Sequence, residues 1–202
     1  MRGRRTVFLL IASALLFPPL RYARAAADPV RAADFIRHAG EELAGVIGGA
    51  TTPEEKRARL QPFIDRVVDV EGVARFCLGR FWKHATPEQQ QTYTALFHRV
   101  LLNNIVVHMG DYQQTKVEVV IGRPEAREAE VLVPTTVARE GTPPAHVVWV
   151  VQDDGANLRI VDVIAEGTSL RLTVRSDFNA FLTRHDSSIA ALIDALREQA
   201  AG

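Results

Sequence analysis

The run Ala145-His146-Val147-Val148-Trp149-Val150-Val151-Gln152-Asp153 is rich in β-branched and aromatic residues, the types that fit a pleated strand. Successive strand side chains point to opposite faces, so five apolar residues in a row leave both faces apolar. Such a strand is covered on each side. Three further runs, Lys116 to Arg123, Glu128 to Arg139 and Leu158 to Ala165, share its Val, Ile and Thr content. They are separated by Arg123-Pro124, Gly141-Thr142-Pro143-Pro144 and Asp153-Asp154-Gly155. Turns this short imply an antiparallel meander of four strands. Glu118, Glu128, Glu130 and Arg139 keep one face of the outer strands wet.

The chain on either side of these strands reads as helix. Phe35, Ile36, Ala39, Leu43, Val46 and Ile47 follow a 3.6-residue period until Gly48-Gly49. Thr52 caps a second helix with Pro53 first and Glu54 and Glu55 in its first turn, and Pro62 is placed to kink or split it. A short helix over 70–78 leads into Phe81-Trp82, and Thr86-Pro87-Glu88 opens a fourth. Tyr93, Leu96, Phe97, Val100, Leu101 and Asn104 form its stripe, whereas 101–109 is apolar nearly all round and Gly110 ends it. That far end is expected to run through the centre of the domain or to border an internal cavity. After Gly167 a helix carries Phe178, Phe181 and Leu182, and a last one from Ser187 carries Ile189, Leu192, Ile193 and Leu196. The expected fold is α+β: a curved antiparallel four-stranded sheet packed by helices from both the N-terminal and the C-terminal parts.

The N-terminus has a separate logic. Arg2, Arg4 and Arg5 precede an apolar run from Val7 to Leu16, then Pro18-Pro19, then Ala23-Arg24-Ala25-Ala26-Ala27. A basic start, a short apolar stretch and small residues before the cut site are the layout of a secretory signal peptide, too short to span a bilayer. Residues 1–27 are therefore expected to be removed near Ala27, leaving 28–202 as one domain. The 202-residue chain carries 24 basic and 24 acidic side chains, but five arginines and no acid lie in 1–27. The exported domain thus holds 19 basic against 24 acidic groups, a net charge near −5. Such a domain has no field with which to hold nucleic acid.

Little in the sequence points to chemistry. Six histidines form no His-x-His or His-Glu-x-x-His pattern, and neither a Gly-x-Ser-x-Gly elbow nor a phosphate loop is present, so no metal, cofactor or catalytic residue is expected. The single Cys77 reads as a buried thiol. Asp153-Asp154-Gly155 has the composition of a hairpin turn. Asp162, inside Ile160-Val161-Asp162-Val163-Ile164, reads as a structural ion pair with Arg171 or Arg175. What stands out is apolar surface in excess, on the sheet and on the fourth helix.

Two segments carry a resemblance. Val73 to Gln89, with Leu78-Gly79-Arg80-Phe81-Trp82 and Ala85-Thr86-Pro87-Glu88-Gln89, and Asp162-Val163-Ile164-Ala165-Glu166-Gly167-Thr168-Ser169-Leu170 resemble the signatures of the MlaC-type periplasmic phospholipid-binding proteins, toluene-tolerance auxiliary components of an ABC lipid transporter. The likeness extends over residues 28–200. The wording around Phe76-Cys77-Leu78 is close to a branch associated with hopanoids. The resemblance implies a non-enzymatic periplasmic carrier. Its partners would be a phospholipid or related membrane lipid, an inner-membrane ABC transporter complex and an outer-membrane lipoprotein complex, and it would help maintain outer-membrane lipid asymmetry. Such a carrier needs a dry internal cavity. Leu101, Ile105, Met109, Tyr112, Val147, Trp149 and Val151 are expected to contribute to its lining.

Overall fold

The computed structural model describes residues 28–48, 52–109, 117–153 and 157–201. The proposed signal segment, Gly110, Tyr112 and the Asp154-Gly155 turn lie outside them. Helices α1 (Pro29–Gly48), α2 (Pro53–Val67), α3 (Val70–Leu78) and α4 (Pro87–Met109) precede the sheet, with a 3-10 turn over Gly79–His84 before α4. Strands β1 (Val117–Ile121), β2 (Glu125–Arg127), β3 (Glu130–Arg139), β4 (Thr142–Asp153), β5 (Leu158–Ala165) and β6 (Thr168–Ser169) follow. Helices α5 (Leu170–Arg184) and α6 (Ile189–Ala201) close the chain. Among the described residues no helix is long and apolar enough to cross a membrane.

Local chemistry sets the helix starts. Thr52 accepts from Glu55 N at 3.1 Å while the Glu55 carboxylate accepts from Thr52 N at 3.4 Å, a reciprocal capping box. Thr86 and Gln89 repeat it before α4, at 3.2 and 3.0 Å. Pro62 neither splits nor ends α2, which runs unbroken to Val67.

The sheet is antiparallel throughout, in the order β1-β3-β4-β5-β6, with β2 beside β3. The four expected strands are present, and two short ones raise the count to six. The sequence hides them for physical reasons. β2 is three exposed residues, two of them charged, and β6 is two residues. A tight turn creates β6: Glu166 and Gly167 both have positive φ, 47° and 80°, as a two-residue hairpin requires.

Two cores lie on this framework. The first covers one face of the sheet: α1 supplies Ala32, Ile36 and Ala39, α2 supplies Leu60, Phe63, Ile64 and Val67, α4 supplies Leu102 and Val106, and the sheet supplies Val131, Val133, Val151 and Ile160. The second joins α3, the 3-10 turn, the first half of α4, α5 and α6, where Trp82, Phe97 and Phe178 surround the fully buried Tyr93. Leu101 and Val70 pack against both. As the apolar run in β4 requires, Val150 and Val151 point to opposite faces and are both buried.

One expectation is corrected. The far end of α4 is not buried on all sides: Leu102 and Val106 are buried, but Val107 is 71% exposed and Asn104 is exposed. At 100° per residue, Asn104 and Val107 share the side turned away from the sheet core.

The segments quoted for the resemblance act as fasteners. Asp162, buried, accepts from Val163 N at 2.8 Å, Ser169 Oγ at 2.5 Å and Arg171 N at 3.0 Å, and its carboxylate lies 3.4 Å from Arg171 Nε. Arg171 also reaches Glu130 on β3 at 3.3 Å. The ion pair therefore forms with Arg171, and it ties β5, β6 and α5 to the sheet. Gly79 has φ +59°, and a Cβ there would lie 3.3 Å from the Arg175 guanidinium. Tyr93 Oη donates to Ala74 O at 2.9 Å inside the second core.

Candidate functional site

Antiparallel register decides which residues share a face. Val131 pairs with Val151, Val133 with Trp149 and Thr135 with Val147, so Val147, Trp149 and Val151 all lie on the face that carries the first core. Trp149 in turn pairs with Val163 on β5. Burial falls steadily along this face. Val131, Val133 and Val151 are wholly buried and Thr135 is 3% exposed, whereas Trp149, Val147 and Val137 are half-buried and Ala145 is exposed.

The helices above the face follow the same gradient. Helix α1 starts at the closed end, where Asp28 N and the Arg31 guanidinium both reach Asp153 Oδ2 at 3.3 Å. Its alanines let it sit close to the sheet there. Further along, Leu43 and Val46 are only half-buried. Leu101 and Ile105 of α4 and Ile121 of β1 are likewise half-buried against this core. The result is an apolar seam, closed at the Asp153 end and more accessible towards Val147.

The seam has one polar device, which sequence reasoning missed. Trp149 Nε1 donates to Thr135 Oγ1 at 3.1 Å, and that hydroxyl donates to Val147 O at 3.0 Å. Neither polar group is left unmatched on an apolar face. The period-2 run Val131, Val133, Thr135 placed the threonine on this face, but nothing local named its partner.

Of the seven residues expected to line a cavity, Leu101, Ile105, Trp149 and Val151 meet in the first core, and Val147 adjoins them on β4. The side chains of Met109 and Tyr112 lie outside the described residues. Two clefts open elsewhere, and neither contains any of the seven. One of about 410 Å³ is lined by Asp65, Asp69, Glu71 and Arg159 among others, and one of about 440 Å³ lies between α2, α4 and α6.

The ionisable groups nearest the cores are held neutral or paired. Burial, with the Asp162 charge adding to it, pushes the Cys77 thiol up to about 12. Burial likewise pushes the Tyr93 phenol up. Among the described residues no group of three or more His, Cys, Asp or Glu is placed to hold a metal ion.

No curated protein matches the sequence. A solved structure described as the phospholipid-binding protein from Ralstonia solanacearum, in complex with a phospholipid, aligns with a TM-score of 0.74 at 22% identity, covering 84% of this chain and 97% of that one. The fold is thus shared with that protein. The description "MlaC protein" matches residues 48–198, three quarters of the sequence. With the helix order, the sheet and the fastened Asp162 turn in place, the chain belongs to the MlaC family.

Proposed function

We propose that this protein is a periplasmic carrier of phospholipid. The observation that carries this reading is the apolar seam between the sheet and α4, half-buried at Leu101, Ile105, Val147 and Trp149 on a fold shared with a protein described as phospholipid-bound. The acyl chains lie along the seam, from Val147 towards the core at Val151.

A carrier is needed because lipid does not cross water unaided. At about 0.8 kcal/mol per buried CH₂, two chains of roughly sixteen carbons represent on the order of 20 to 25 kcal/mol of apolar transfer. The carrier takes lipid between an outer-membrane lipoprotein complex and an inner-membrane ABC transporter complex, after removal of residues 1–27. A net charge near −5 for 28–202 opposes adsorption to anionic bilayers and favours delivery through protein docking.

Carriage rather than catalysis is supported by the state of the reactive groups. Cys77 is held as a neutral thiol, Tyr93 is buried against Ala74 O, and Asp162 is saturated with donors. Organic extraction of the purified protein followed by mass spectrometry tests the reading. Near one diacyl phospholipid per chain is expected; a hopanoid mass would replace the cargo and keep the carrier, and an empty extract would overturn both. A bound lipid whose mass changes on incubation would mark a lipid-modifying enzyme instead.

A further inference from the structure

The cleft between the start of α2, the C-terminal half of α4 and the end of α6 has a chemistry that the seam lacks. Its volume of about 440 Å³ is that of a small-ligand site. Lys56, Arg57, Asn103, Asn104 and Gln199 bring hydrogen-bond donors to it, and no carboxylate is among the residues that line it. The other cleft, with Asp65, Asp69 and Glu71, is its electrostatic opposite.

Arg57 is positioned. Its Nε donates to Asn103 Oδ1 at 2.8 Å, and the Asn103 amide nitrogen donates to Ala200 O at 3.4 Å, which fixes the orientation of the asparagine. One guanidinium edge is thereby used, and the two terminal nitrogens keep the fork geometry that matches phosphate oxygens. Among the described residues no carboxylate forms an ion pair with Lys56 or Arg57, although the chain carries 24 acidic groups. Both cations are half-buried, where charge is screened less than on an open surface.

The apolar part of the cleft comes from Pro53 of α2 and from α4. Val106 is buried in the first core, and Val107 beside it is 71% exposed. A large exposed apolar side chain next to two unpaired cations suits an amphiphile whose anionic group meets the cations.

We propose that the α2–α4–α6 cleft binds a phosphate group, with an apolar arm of the same molecule against Val107. The assignment of that phosphate to a lipid headgroup rests on the carrier reading above; the cleft chemistry does not.

Titration calorimetry of the purified, delipidated protein tests this with three probes: dihexanoyl phosphatidylglycerol, inorganic phosphate, and dihexanoylglycerol, which has no phosphate. The double variant Lys56→Ala/Arg57→Ala is expected to weaken the phospholipid about tenfold or more and to leave dihexanoylglycerol unchanged. Asn104→Asp alters an exposed position and adds a carboxylate to the lining, so it lowers phospholipid affinity without touching either core. Inorganic phosphate that binds and is lost in the variants identifies the free anion as a sufficient ligand; binding confined to the phospholipid identifies the headgroup. Unchanged phospholipid affinity in both variants overturns the proposal, even if extraction recovers lipid. An empty extract, with phosphate binding still lost in the variants, overturns lipid carriage and leaves the cleft assignment standing.

Discussion

The indole Nε1 of Trp149 donates to Thr135 Oγ1, 3.1 Å away on the neighbouring strand, at the point where the seam passes from core to accessible surface. The pair satisfies a ring too large to bury without a partner. Thr135→Val keeps the shape and removes the acceptor, so it is expected to destabilise the fold by about 1 to 3 kcal/mol. Urea denaturation of the variant measures this; an unchanged midpoint would show that the indole has another acceptor.

Val147 and Val151 share a face but not a depth. Val151 is wholly buried and Val147 half-buried, so arginine at the two positions has different effects. Val151→Arg places an unpaired charge in the core and abolishes folding or costs about 4 kcal/mol or more. Val147→Arg folds, with a native circular dichroism spectrum, and retains less than half of the copurified lipid. A folded Val147→Arg protein with its full lipid complement would remove Val147 from the lining.

Alkaline pH should loosen the second core. Cys77 ionises at about 12 in the folded protein against an ordinary value of 9.0, and Tyr93 is raised above its ordinary 10.0. For an acid whose folded pKa is raised, stability is complete below the unfolded value and declines as pH climbs towards the folded one. From about pH 9 the unfolded chain releases the cysteine proton and the folded chain keeps it, a slope that climbs towards about 1.4 kcal/mol per pH unit by pH 10, and above pH 10 the tyrosine adds to it. Cys77→Ala should remove the cysteine part of this slope. Stability measured from pH 8 to 11 decides the matter, and equal slopes in the two proteins would contradict it.

Gly79 stands at φ +59° under the Arg175 guanidinium. Gly79→Ala meets both the backbone penalty and the close approach, and should destabilise by about 1 to 3 kcal/mol. Pairing it with Arg175→Ala relieves the second effect alone, so the double variant should recover part of the loss in thermal melts.

The sequence was most informative where chemistry is local. Thr52 with Glu55 and Thr86 with Gln89 announce their helices because a cap is made within four residues. The alternation of Val147, Trp149 and Val151 put them on one face for the same reason. It failed where distant segments decide. Val107 is exposed because the helices flanking its side of α4, α2 and α6, leave an open cleft there. The bulge between Val150 and Val151, which shifts the pairing with β5, has no signature in the run that contains it. Arg57 and Asn103 are 46 residues apart, so only folding shows that they are partners.

Helix α4 is one rod of 23 residues, about 34 Å long, with Tyr93 and Phe97 at one end and Ile105 and Val106 at the other. Seated in both cores, with Leu101 touching each, it is the splint that joins the two into one body.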